Sequence, residues 1–143
     1  MTHGLDTSVV VASELAGHTR HEASRMLLER LSHEGGTVAL APQVLAEFLH
    51  IVTDPRRCTT PLLMSSALER AELIWNSMQV IRVFPDTLAT SQFLAWMSHH
   101  RLGRKRLLDT LLAATYWSAG IRAIVTLNPA DFKLFGCFTV LEP

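Results

Sequence analysis

The sequence predicts an α/β fold, a three-layer α/β/α sandwich around a parallel sheet of about five strands. Three observations lead there. Short apolar runs suited to strands recur along the 143 residues. Segments of helical periodicity separate them. Glycine and proline mark the junctions, as at Gly35-Gly36, Pro42, Asp54-Pro55 and Thr60-Pro61. Strands alternating with helices imply a parallel sheet covered on both faces. No linker, low-complexity tract or internal repeat interrupts residues 1–143, so one domain is expected.

The elements follow in order. A short strand at about residues 3–6 precedes a long segment, His18 to Glu34, in which Ala23, Met26, Leu27, Arg30 and Leu31 repeat at helical spacing. Gly35-Gly36 ends that helix, and TVAL (Thr37–Leu40) reads as the second strand. Pro42 opens a helix over residues 42–53, at a position where its missing N–H does no harm. Thr60-Pro61 gives the same start signal for a helix running to about Met78. VIRVF (Val80–Phe84) is a third strand, and Asp86 or Thr87 caps the helix after it. Leu107–Ala119 forms a further helix, and AIVTL (Ala123–Leu127) and FTVL (Phe138–Leu141) complete the strands.

Composition narrows the class. The chain is 48% hydrophobic, which fits a packed globule and argues against disorder. No uncharged apolar run approaches the ~18 residues of a membrane span, and the N-terminus lacks a signal-peptide pattern. Cys58 and Cys137 are isolated, so a reducing cytoplasm is the expected compartment. Thirteen basic and 13 acidic residues give zero net charge, unlike a non-specific DNA coater. Charge is nevertheless concentrated in His99-His100-Arg101-Leu102-Gly103-Arg104-Lys105-Arg106, a segment able to dock a phosphate backbone locally.

Four acidic or amide positions stand at element boundaries beside apolar residues: Asp6, Glu47, Asp109, and the pair Asn128 and Asp131. Desolvated carboxylates cost free energy unless positive charge meets them. Their recurrence along the chain suggests a shared oxygen-rich site for a hard divalent cation. Ligands of an open parallel sheet bind at the carboxyl ends of its strands, where Asp6 and Asn128 fall. Glu47 lies beside the core-facing stripe Val44, Phe48, Ile51 and Val52, half-buried at the sheet edge. Each position also has a plainer account. Asp6 reads equally as a turn or helix cap, Glu47 as a solvated glutamate, and Asp109 as a first-turn aspartate favoured by the helix dipole. Asp131 reads as the cap of a short helix after an Asn-Pro turn. An Asp109 partly desolvated by its leucine neighbours would need Arg104, Arg106 or a metal ion as partner.

The ordered set LDTSVVV, LAEFLHIV, LLDTLLAATYWSAGI and IVTLNPADFKLFGCFTVLEP resembles the PIN domain, and within it the VapC-like toxin ribonucleases. The resemblance covers essentially the whole chain. It puts the family's acidic positions on Asp6, Glu47 and Asp109, and its fourth motif on Thr126, Asn128 and Asp131. Asn128 stands where many relatives outside the toxin group carry Asp, which leaves both Asn128 and Asp131 as candidates for the metal. Residues Arg56 to Met78 match nothing diagnostic and would form a variable helical segment, for dimerisation.

The resemblance implies an endoribonuclease dependent on Mg²⁺ or Mn²⁺, the toxin of a type II toxin–antitoxin pair. Its implied partners are RNA, an antitoxin protein and a second copy in a homodimer, with no membrane. Asp6 and Asp109 would be direct ligands, and Glu47 and Asp131 would act through water or on a second ion. Ser8 or Thr126 would orient a ligand carboxylate or touch a phosphate oxygen, and Arg104, Lys105 and Arg106 would hold the RNA backbone. The rival reading is a PIN-like module kept for RNA binding or protein assembly without catalysis. Zinc is disfavoured, because no histidine pair has ligand spacing near Cys58 or Cys137. A haloacid-dehalogenase-like phosphatase needs a second Asp where Ser8 stands, and a receiver domain needs an acceptor Asp where VIRVFP ends in Phe84-Pro85.

Overall fold

The computed structural model describes residues 1–143. Five strands form one sheet: β1 (Thr2–Leu5), β2 (Thr37–Leu40), β3 (Val80–Arg82), β4 (Ala123–Val125) and β5 (Thr139–Leu141). All neighbouring pairs are parallel, in the order β3-β2-β1-β4-β5. Seven α-helices accompany them: α1 (Thr7–Glu14), α2 (His21–His33), α3 (Pro42–Val52), α4 (Met64–Trp75), α5 (Thr87–His99), α6 (Leu107–Ser118) and α7 (Ala130–Lys133). The α/β class, the parallel sheet and the five strand positions are as the sequence predicts.

The order of strands decides where a site can form. From β1 the chain steps outward to β2 and β3, then crosses back to lay β4 on the other side of β1. Strand order therefore reverses between β1 and β4, and the crevice at their carboxyl ends is the natural binding position. The register pairs Leu5 with Val125. The residues that follow them, Asp6 and Thr126, thus emerge side by side.

Helix α1 has no counterpart in the predicted elements. Its TSVVVASE carries three consecutive β-branched valines, which disfavour helix through lost side-chain freedom. It also lacks a polar face to reveal its period, since Val9, Val10, Val11 and Ala12 are all buried. A helix apolar around its circumference belongs inside the molecule. Burying each valine stabilises by roughly 1.5–3 kcal/mol, an upper bound that outweighs the propensity deficit of a few tenths. α1 packs between α2 and α3.

Two further details differ from expectation. The buried stripe of α2 is Ser24, Leu27 and Leu31, while Met26 is 61% exposed. A polar residue at the first buried position disguised the register. α4 starts at Met64 rather than after Thr60-Pro61, because the Leu62 N–H donates to the Val52 carbonyl at 2.8 Å and keeps residues 61–63 extended along α3. On α3, Val44, Phe48 and Val52 are fully buried, as the stripe predicts.

Tyr116 of α6 anchors the sheet centre. Its buried hydroxyl lies 2.6 Å from the Leu5 carbonyl and 3.1 Å from that of Ala39, at the ends of β1 and β2. Its ring lies so close to Gly4 that an added Cβ would stand 2.6 Å from a ring carbon. Glycine is required there by space. The hydroxyl's bond to Leu5 fixes the residue preceding Asp6 to the helix that carries Asp109. α5 packs along α6, with Trp96 edge-on to Trp117 at 6.0 Å and stacked on Phe135 at 4.4 Å.

Candidate active site

Asp6 follows β1 and precedes α1, the position of a helix cap, yet its side chain makes no capping bond. Its Oδ2 instead accepts the hydroxyls of Ser8 and Thr126, each at 2.7 Å. Those hydroxyls are themselves committed by backbone donors. The Leu127 N–H donates to Ser8 Oγ at 3.0 Å, and the Asn128 N–H donates to Thr126 Oγ1 at 2.9 Å. A hydroxyl that accepts from an amide turns its own proton elsewhere, and both turn it onto the same carboxylate oxygen. Asp6 is thereby oriented by the ends of β1 and β4 together. The residue is only 6% exposed. Burial raises its pKa above the usual carboxylate range, and the Ser8 and Thr126 hydrogen bonds oppose that rise.

Asp109 lies in the first turn of α6, half-buried. Burial pushes its carboxyl up to about 6, the charges of Asp6, Asp131 and Glu47 add to the rise, and Arg106 resists it. Glu47, half-buried on α3, is raised in turn by burial and by the charge of Asp6. Arg57, Thr7 and His50 pull it back. The acids named from the sequence therefore act on one another from the end of β1 and from α3, α6 and α7. Perturbed carboxyls converging at a strand-order reversal are a functional-site signature.

Arg106 occupies one side of this group. It ends a single 3-10 turn, Arg104–Arg106, that runs directly into α6. Its Nη1 donates to Asp131 Oδ1 at 2.9 Å and its Nη2 to the Asp131 backbone carbonyl at 2.6 Å. Its Nε stands 3.9 Å from Asp109 Oδ2 and has no hydrogen-bond partner. Of the three cations expected to meet RNA, Arg106 thus turns to the acids, while Arg104 and Lys105 remain exposed. Asp131 sits within the first turn of α7 rather than capping it. Asn128 is exposed, and its recorded bond is made by its backbone.

No three His, Cys, Asp or Glu side chains stand close enough to ligate one ion as placed. The donor chemistry nonetheless suits a hard cation. Magnesium takes one or two carboxylates and keeps several waters, so it needs no dedicated cage. Asp6 retains an oxygen free of the two hydroxyls, and Asp109 is a carboxyl raised by burial and by neighbouring negative charge. The sequence did not single out Arg57 or His50, whose charges reach Glu47. The Arg56-Arg57 pair after an Asp-Pro turn was the available signal.

Known proteins share this fold. The PIN-domain family model matches residues 5–134. VapC20 of Mycobacterium tuberculosis, a sarcin–ricin loop cleaving toxin, superposes with a TM-score of 0.73 and 23% identity over 100% of both chains. A chain of VapBC2 from Rickettsia felis, bound to a promoter DNA fragment, gives 0.71 and 16% identity over 100% of this chain and 99% of that one. A chain of VapBC-1 from nontypeable Haemophilus influenzae gives 0.72 and 14% over 99% and 98%. At these identities the structures speak for the fold. No curated protein matches the chain by sequence. With the family match spanning nearly its whole length, the chain belongs to the PIN-domain family.

Proposed function

We propose that the protein is an endoribonuclease dependent on Mg²⁺ or Mn²⁺, acting as the toxin of a type II toxin–antitoxin pair. The observation that carries this reading is the convergence of Asp6, Glu47, Asp109 and Asp131 at the β1/β4 reversal, with three of their carboxyls raised together. Asp6 and Asp109 are the ligands best suited to the cation, and Glu47 acts beside them. A divalent cation, when bound, supplies positive charge against the phosphate and activates water for attack.

The chain's own groups do the rest. Ser8 and Thr126 hold Asp6 through one carboxylate oxygen and leave the other free of them. Asp109 titrates at about 6 in the metal-free site, and a bound cation would hold it ionised as a ligand. Arg106 balances part of the negative charge and holds α7, with Asp131, against the start of α6. Arg104 and Lys105 stand exposed before α6 and hold the RNA backbone. VapBC2 and VapBC-1 are toxin–antitoxin assemblies by name, which supports an antitoxin as a partner of this chain. A homodimer and a cytoplasmic location complete the reading, and no helix is long and apolar enough to cross a membrane.

Incubating the purified protein with labelled RNA in Mn²⁺, and again with excess chelator, tests the proposal. Cleavage that requires the metal supports it. RNA bound but left intact under both conditions supports the non-catalytic alternative instead.

A further inference from the structure

A second basic feature lies off α3, away from the Arg104–Arg106 turn. The loop after α3 folds back on the helix and borders an open cleft lined by His50, Thr53, Asp54, Arg56 and Arg57, with no apolar residue among them. Its frame is fixed by hydrogen bonds. The Arg57 and Cys58 N–H groups donate to the Asp54 carbonyl at 3.1 and 3.0 Å, and the Arg56 N–H to Asp54 Oδ1 at 2.9 Å. Thr53 donates its hydroxyl to the Leu49 carbonyl at 2.6 Å, and Cys58 its thiol to that of Ile51 at 3.3 Å. The Leu62–Val52 backbone bond closes the loop on the helix.

Charge within this frame is not balanced. Asp54 is the one acid of the lining, spent on the turn and on a loose contact with Arg57 at 3.8 Å. The Arg57 side chain stays 57% exposed, and the guanidinium of Arg56 has no ion-pair partner. By contrast Arg70, nearby on α4, is consumed by the Glu14 carboxylate and carbonyl. The cleft also adjoins the acids. His50 lies one helical turn beyond Glu47, about 5–6 Å between side-chain roots on the same face, and both Arg57 and His50 act on the Glu47 carboxyl.

We propose that this cleft is a phosphate subsite that grips the RNA backbone one or more nucleotides from the bond being cut, through Arg56 and Arg57 with His50 beside them. It rests on the nuclease reading above and extends it. Exposed guanidiniums on a rigid turn suit a phosphate, since their planar donors pair with its oxygens in parallel. A strand crossing the acids would then be held on the α3 side by this cleft and on the α6 side by Arg104 and Lys105. The acids repel phosphate, and flanking cations offset that repulsion without entering the reacting centre.

The test compares wild type, the double variant Arg56→Gln/Arg57→Gln and the charge-preserving Arg56→Lys/Arg57→Lys. Binding of a fluorescein-labelled single-stranded RNA is followed by anisotropy in chelator over a range of salt, and cleavage kinetics are measured in Mn²⁺. Loss of two phosphate contacts should flatten the log–log salt slope by about 1.4, which is about 25-fold in affinity between ~1 M and ~0.1 M salt. KM should rise by a larger factor than kcat falls, and the lysine variant should keep most of the slope and of kcat. Wild type that binds and cuts RNA, beside a glutamine variant with unchanged slope and KM, overturns the subsite and leaves the nuclease reading standing. Wild type that neither binds nor cuts removes both. Unchanged RNA binding with weakened capture of a polyglutamate peptide makes the cleft a protein-docking site and likewise overturns the proposal.

Discussion

Arg106 and Asp131, 25 residues apart, are joined by two hydrogen bonds, from Nη1 to the carboxylate at 2.9 Å and from Nη2 to the backbone carbonyl at 2.6 Å. The pair fastens the start of α6 to α7 and sets a fixed positive charge beside Asp109. Both side chains are partly withdrawn from water, which makes the pair stronger than an open surface bridge.

Replacing Arg106 by Ala should therefore cost about 1.5 kcal/mol near neutral pH, or roughly 3–6 °C in melting temperature for a chain of this size. The loss should shrink in acid, where a protonated Asp109 no longer needs the cation. Arg106→Lys should recover only part, since one ammonium cannot reproduce the fork. Melts at acidic and neutral pH check this. An equal loss at both would deny Arg106 its electrostatic part.

Asp109 gives a dependence of opposite sense to that of a salt-bridged acid. Its folded pKa of about 6 lies above the ordinary carboxylate value, so between about pH 4 and 6 the folded state holds a proton that the unfolded chain has lost. Metal-free stability should fall as pH rises through that window and level off above it. Asp109→Asn should remove much of the fall and melt higher than wild type at neutral pH in chelator. Addition of Mg²⁺ or Mn²⁺ at ten times its dissociation constant should stabilise wild type by about 1.4 kcal/mol and the variant by less. Equal shifts in both would mean that Asp109 does not serve the ion.

The Asp6 network predicts a contrast between two conservative changes. Thr126→Val strands the Asn128 N–H and removes a donor from a buried carboxylate, which should cost about 1–3 kcal/mol. Thr126→Ser keeps the oxygen and should cost much less. Both variants are read by chemical denaturation. If Thr126→Ser proved the costlier of the two, the methyl rather than the hydroxyl would be what Thr126 contributes.

Tyr116→Phe and Gly4→Ala probe the link between α6 and β1. The first removes the hydroxyl from two carbonyls and should cost about 1 kcal/mol or more. The second drives a methyl into the Tyr116 ring and should cost about 1–3 kcal/mol. In the double variant the ring is still present, so the overpacking cost should persist. Relief of Gly4→Ala by Tyr116→Phe would contradict the steric account.

Most of the fold was legible because strands and amphipathic helices write their period into the sequence. α1 was not, since its consecutive buried valines carry no polar face, and the register of α2 was hidden by a buried serine. Boundaries set by tertiary contacts, such as the Leu62–Val52 bond that delays α4, leave no local mark. At the site, residue type and position marked Asp6, Glu47, Asp109 and Asp131 as candidates, and the family resemblance joined them into one set. Which oxygen Ser8 and Thr126 address, and that Arg106 turns inward while Arg104 and Lys105 do not, depend on distances between segments up to 120 residues apart.

The central claim is that these acids form one catalytic centre. Single-turnover cleavage of RNA in Mn²⁺ by wild type, Asp6→Asn, Glu47→Gln and Asp109→Asn tests it most directly, with circular dichroism confirming that each variant is folded. Each substitution should slow cleavage at least about a hundredfold. A folded Asp109→Asn that cuts RNA at the wild-type rate would contradict the account.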